Sequence, residues 1–213
     1  MTQRVMPLTG AGFFALFLVG FGLSGGGGEP GDTASGQTVV SYYAAHSTQI
    51  HLALFLMAFA ALLLAFFVAY LHSVVRAAGD GSRPLAAAVL AGGVIWSVGL
   101  FASAATHDAL LQAALHGQVD VVNTLNVLGG SDFFPIVGGI AIYALAAGIA
   151  GVRGAGLPAW LGWLAILIGL LALAGPLGMI AFIAAPIWVL VTSIALATRG
   201  LAVGMGTVEP ARP

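Results

Sequence analysis

The chain alternates long apolar runs with short polar breaks. About 20 consecutive apolar residues cross roughly 30 Å of hydrocarbon at about 1.5 Å per residue. That criterion predicts spans at residues 7–24, 52–75, 84–105 and 135–152. A further tract, 159–198, carries no ionisable residue and is too long for one span. Gly175-Pro176 stands near its middle. Proline breaks or kinks a helix, and the residue before it is pushed away from helical geometry. Two helices, 159–174 and 177–198, joined by a tight turn therefore fit best, with a kink at Pro186 in the second. The expected fold is all-α, a polytopic transmembrane helix bundle of six spans in one domain. The alternative is five spans, the last long, kinked and tilted.

The segments between the spans are unequal. Residues 25–51 and 106–134 form long loops on one side, while the breaks on the other side are short. The stretch 25–36 holds four consecutive glycines followed by Glu29, Pro30 and Asp32, which reads as a flexible external loop. It is not a phosphate cradle, because no Gly-Lys-Ser/Thr follows. From Thr38 to Arg76 neither Gly nor Pro interrupts a helical reading. At about 1.5 Å per residue that helix measures about 58 Å, more than the bilayer is thick. It should therefore protrude, carrying Tyr42, Tyr43 and His46. Residues 110–128 read as an amphipathic external segment, so the outer face should carry a helical cap. The segment 129–132 reads as a turn, with Asp132 capping the helix that follows.

Arginine placement favours six spans. With an even count both termini share a side, and Arg4, Arg76, Arg83, Arg153, Arg199 and Arg212 all fall on it. The positive-inside rule makes that side cytoplasmic. Five spans would move Arg199 and Arg212 across. Trp160 and Trp163 suit an inner interfacial belt. The first segment has the outline of a secretion signal, with Arg4, a short apolar core and Gly-Leu-Ser-Gly, but is kept as a span.

Composition sharpens this picture. Of 213 residues, 60% are apolar and 6% charged, against about 25% charged in soluble domains. Mean hydropathy is +1.07. A water-soluble fold cannot dispense with that much charge, so the expected partner is the lipid bilayer. The net charge of −1 leaves no footprint for nucleic acid. Without Cys, the chain forms no disulfide, thiolate metal site or Fe–S cluster. Without Lys, it forms no Schiff base.

Candidate chemistry gathers at the outer boundary. His51, His107, Asp108 and Asp132 come from three different spans at similar depth. Imidazole and carboxylate together suit a transition metal such as Zn, Cu or Fe, and His51 with His107 could instead ligate a b-type haem. His46 and His116 lie further out and could join either site. The contrary reading is that polar residues at a boundary simply meet water and headgroups. No HExxH motif supports a metal, and His46 and His51 diverge by about 140° on a helix. His72 reads as interfacial, and Asn123 and Asn126 share a helix face within the cap. Inside the spans the polar candidates are Ser97, Ser103, Tyr143, Thr192 and Ser193, with Trp96 and Trp188 also deep. Such a poor polar inventory disfavours an ion pump or channel. Gly92, Gly93, Gly138, Gly139, Ala144 and Gly148 would let helices approach closely.

Four stretches carry a resemblance: Tyr42-Tyr43-Ala44-Ala45-His46, Phe66-Phe67-Val68-Ala69-Tyr70-Leu71, the segment from Asn123 to Asn126, and Leu157-Pro158-Ala159-Trp160-Leu161-Gly162-Trp163. With them the chain resembles a group of uncharacterised bacterial, largely actinobacterial, six-helix integral membrane proteins known only as a domain of unknown function. In that group Arg is expected where this chain has Ala159. The resemblance implies the six-helix architecture and brings no activity. The leading expectation is a non-enzymatic helix bundle of the inner membrane, a subunit or stabiliser of a larger membrane complex or a binder of an apolar ligand. The alternatives are a haem- or metal-binding redox protein using the outer His and Asp residues, and a facilitator for a small neutral solute.

Overall fold

The computed structural model describes residues 5–24, 28–31 and 33–205, with the side chains of 199–205 not described. Arg4, Asp32, Arg212 and the Arg199 side chain thus lie outside the description. Every regular element in the described residues is helical. The long helices are α1 (Leu8–Leu23), α2 (Gly36–Ala45), α3 (Ser47–Arg76), α4 (Arg83–Leu115), α5 (Val119–Ser131), α6 (Phe133–Val152), α7 (Ala159–Leu173) and α8 (Gly178–Met205). Single 3-10 turns occupy Asp80–Ser82 and Gly175–Leu177. Among the described residues four segments are long and apolar enough to cross a bilayer: Ser47–Arg76, Asp80–Leu115, Val119–Val152 and Gly175–Thr198. Helices α1 and α7 are apolar but shorter, about 24 and 22 Å at 1.5 Å per residue.

The apolar helices close into a ring in the order α1, α3, α4, α6, α7, α8, with α6 also touching α8. The ring is sealed by Ser193, whose hydroxyl donates to the carbonyl of Pro7 and accepts from the amide of Ala11 at 3.1 Å. Outward faces bear Phe55, Phe66, Val98, Leu167, Leu170, Ile183 and Ile194, each well exposed. Such an apolar outer surface suits lipid, where no polar coat is needed.

Lipid tails are as apolar as leucine, so close packing must hold helices together in a bilayer. Two glycine seams supply it. Along α4 and α6, a Cβ at Gly92 would collide with the backbone amide of Tyr143, and one at Gly139 with that of Trp96. Along α6 and α7, a Cβ at Gly148 would come within 2.7 Å of the Gly162 carbonyl oxygen. Helix α6 is consequently buried on most of its circumference.

Three expectations change. The helix expected unbroken from Thr38 to Arg76 is broken at His46, whose backbone (φ −112°, ψ 19°) is not helical. The break lets α2 fold over the bundle, burying Val39 and Tyr43 against Leu110, Leu111 and Val122. The turn expected at 129–132 is instead helical through Ser131, and Asp132 makes no side-chain cap bond to α6. The third span runs on past residue 105 to Leu115 and becomes the wall of the cap. There Gly117 (φ 67°) reverses the chain. Its amide bonds the Ala114 carbonyl, and that of Gln118 bonds Ala113, the left-handed helix ending that glycine favours. The turn expected at Gly175-Pro176 is present, with Gly175 at φ 60°.

Gly138 has open space where Gly139 has backbone, which separates packing from helix propensity. Gly138→Ala is expected to hold or raise the thermal unfolding midpoint in detergent, since Ala is the better helix former by about 1 kcal/mol. Gly139→Ala should lower it, overpacking costing about 1–3 kcal/mol.

Candidate functional site at the cap

The cap is a small hydrophobic cluster with polar edges. Helix α2 begins at Ser35, whose hydroxyl accepts from the amide of Thr38 at 3.3 Å, an ordinary N-cap. Helices α2 and α5 lie close because Gly36 presents only hydrogen to Asn123 and Val119. Asn126 donates to the carbonyl of Gly31 at 3.2 Å, and Gln49 donates to the carbonyl of Leu23 at 2.6 Å. These bonds tie the loop after α1 to the cap and the end of α1 to α3.

His107 and Asp108 are consecutive on α4, so their side chains leave the helix about 100° apart. They take different partners. Asp108 faces His51, with 3.7 Å between carboxylate oxygen and Nε2, and both are half exposed. His107 faces Glu29, also at 3.7 Å, and this pair is mostly buried. The His107 ring is oriented through Nδ1, 2.8 Å from the Ser103 carbonyl, and lies against Gly129. Asp132 keeps one buried carboxylate oxygen without a hydrogen-bond partner among the described residues. His46 and His116 each turn Nδ1 back to a carbonyl of their own segment, Tyr42 and Gln112, at 2.9 and 2.7 Å.

The four residues singled out from the sequence are thus divided between two imidazole–carboxylate contacts and one carboxylate outside both. Among the described residues no three His, Asp or Glu side chains form a group that could hold a metal ion. Glu29 is the member that sequence reasoning missed. It stands in a glycine-rich loop far along the chain from His107, and no local pattern marks it.

Burial lifts the Glu29 carboxyl above its ordinary pKa of 4.5, while His107 pulls it the other way. Tyr43 is raised by burial first, then by the charges of Glu29 and Tyr42. Tyr42 is raised by burial and by Glu29. These three groups are therefore one electrostatic neighbourhood with His107. The chain matches no known protein family, no curated protein and no solved structure.

A carboxyl that holds its proton more tightly when folded adds stability in acid. That contribution is complete below about pH 4.5 and is lost as pH rises through the elevated folded value. The protection factors of the cap amides, with the intrinsic pH dependence of exchange divided out, should therefore rise on acidification through that window, and Glu29→Gln should flatten the dependence. An unchanged pH profile in Glu29→Gln would place the titration elsewhere.

Proposed function

We propose that the chain is a six-span integral protein of a bacterial inner membrane, both termini cytoplasmic, acting without catalysis as a subunit or stabiliser of a membrane complex. Its grip on the partner is an apolar furrow between α7 and α8. One observation carries this reading. Trp160, Leu164, Ile168 and Leu171 from α7 and Ala184, Trp188 and Val191 from α8 line a groove of ≈ 260 Å³ on the outside of the ring. The α7 residues recur at helical spacing over about 16 Å. The volume falls below the roughly 300–1,000 Å³ of clefts that enclose drug-sized ligands. A long, narrow, apolar furrow between two helices takes the ridge of another helix.

The orientation rests on charge. Arg76, Arg83 and Arg153 flank the short connections after α3 and α6. These connections share one end, since Gly156 lies against Val74. Arg83 pairs there with Asp80 at 2.9 Å, both side chains well exposed. The positive-inside rule assigns that end to the cytoplasm. The start of α1 is bonded to the second half of α8, in keeping with termini on one side.

The chain has no Cys, so single introduced thiols report topology without background. In intact cells a membrane-impermeant maleimide should label Thr33→Cys and leave Gly81→Cys unlabelled until lysis; the reverse pattern refutes the orientation. A photoreactive residue at Leu167, beside the furrow, should give one discrete protein adduct in native membranes. Leu164→Trp, which fills the furrow, should reduce that adduct at least tenfold. Adducts to lipid alone would assign the furrow to an apolar ligand, and recovery as an uncrosslinked monomer would defeat the subunit reading.

A further inference from the structure

Three side chains at the centre of the ring carry polar atoms that are fully buried and have no hydrogen-bond partner among the described residues: Trp96 Nε1, Tyr143 Oη and Thr192 Oγ1. Trp96 and Thr192 are 0% exposed and Tyr143 is 1% exposed. They come from α4, α6 and α8, and ring contacts run from the first to the second and on to the Trp188 of α8. Trp96 and Tyr143 lie 5.8 Å apart between centroids, and Tyr143 meets Trp188 edge to face at 5.9 Å. Thr192 follows Trp188 by one helical turn, on the same face.

Their depths agree. Trp96 stands thirteen residues from Arg83 and Tyr143 ten from Arg153, about 20 and 15 Å from the arginine end. Ser193, beside Thr192, meets Gly10, which in turn meets Phe67. Phe67 is nine residues from Arg76, about 14 Å from the same end. Phe13, one turn above Gly10, closes the group by meeting Trp96 at 5.5 Å.

The Thr192 hydroxyl is also unusual in its direction. Hydroxyls at Thr9, Ser24, Ser73 and Thr198 fold back onto a carbonyl three or four residues earlier. That is the usual refuge in apolar surroundings, and Thr192 does not take it. Ser97 is likewise unbonded, but it lies on the stripe that Gly93 presents to Val68 and belongs to another face. Buried polar groups in hydrocarbon are costly when unpaired, and each asks for a partner.

We propose that Trp96, Tyr143 and Thr192 form a buried site for a small uncharged guest bonding through oxygen, water being the smallest. The indole N–H only donates, while the phenol and hydroxyl both donate and accept. Such an oxygen can therefore only accept from Trp96, and can donate to or accept from Tyr143 and Thr192. No charged side chain takes part, so an ion finds no counter-charge. The site is independent of the furrow between α7 and α8 and stands whether or not a partner binds there.

The test uses the full chain in lipid nanodiscs with 15N-labelled tryptophan, the Trp96 indole resonance being assigned by Trp96→Phe. A cross-peak between that indole proton and water identifies held water. A shift of the resonance on titration with glycerol identifies an exchangeable neutral solute. Either supports the site, and either should come with thermal midpoints lowered by about 2–4 °C in Tyr143→Phe and Thr192→Val, a guest having lost one bond in each. The proposal is overturned if neither signal appears, and both variants should then raise the midpoint. Deleting a polar atom that has no partner stabilises, and these near-isosteric changes leave the packing intact.

Discussion

Within a bilayer the helices gain nothing by hiding apolar surface from one another, so the approach of backbone to backbone decides the architecture. Helix α6 is where this constraint acts. On one side Gly139 and Gly92 interlock α6 with α4, and on the other Gly148, Gly151 and Gly162 interlock it with α7. Most of these contacts are glycine against main chain. A flexible side chain could rotate out of the way of an added methyl; a helix backbone cannot. The rest of the ring is referred to this slab, because α4 carries α3, α3 carries α1, and α7 carries α8.

The cap obeys a different rule. Val39, Tyr43, Ile50, Leu110, Leu111 and Val122 form a cluster separate from the main core. If water surrounds it, the ordinary hydrophobic effect holds it together. Its edges are fastened by Asn126, by Gln49 and by the two imidazole–carboxylate contacts. The buried contact between His107 and Glu29 and the open one between His51 and Asp108 are of unequal weight. Screening by solvent leaves exposed pairs nearly without net effect, whereas burial is what displaces the Glu29 carboxyl.

The helices were legible in the sequence because an apolar run of that length has few other uses, and Gly175-Pro176 marked its turn by stereochemistry alone. What escaped was decided between distant segments. Nothing around His46 breaks a helix; the break follows from the apolar face that α2 buries against α4 and α5. Gly129-Gly130 looked like a turn because glycine is a poor helix former, yet the helix continues and His107 rests on Gly129. Of His51, His107, Asp108 and Asp132, which were grouped by depth, His51 meets Asp108 and His107 turns to Glu29 instead. Azimuth decided the pairing, since adjacent positions on a helix point about 100° apart. Glu29 entered from a loop that carries no periodicity to read.

Trp188 joins the outside of the ring to its centre. One side of the indole lines the furrow between α7 and α8, and the edge-to-face contact with Tyr143 backs it from within. Its Nε1 donates to the carbonyl of Leu161 at 2.9 Å, and Leu161 lines the same furrow. Pro186, two residues earlier, has no amide to offer Phe182, so α8 lacks one rung of its ladder beside this point. A guest pressing on the indole from the lipid side would therefore meet a ring that is fixed by one hydrogen bond and one aromatic contact, on a helix short of one backbone hydrogen bond. Displacement of that ring would be felt first by Tyr143, which carries one of the buried polar atoms, so the furrow and the centre share a wall.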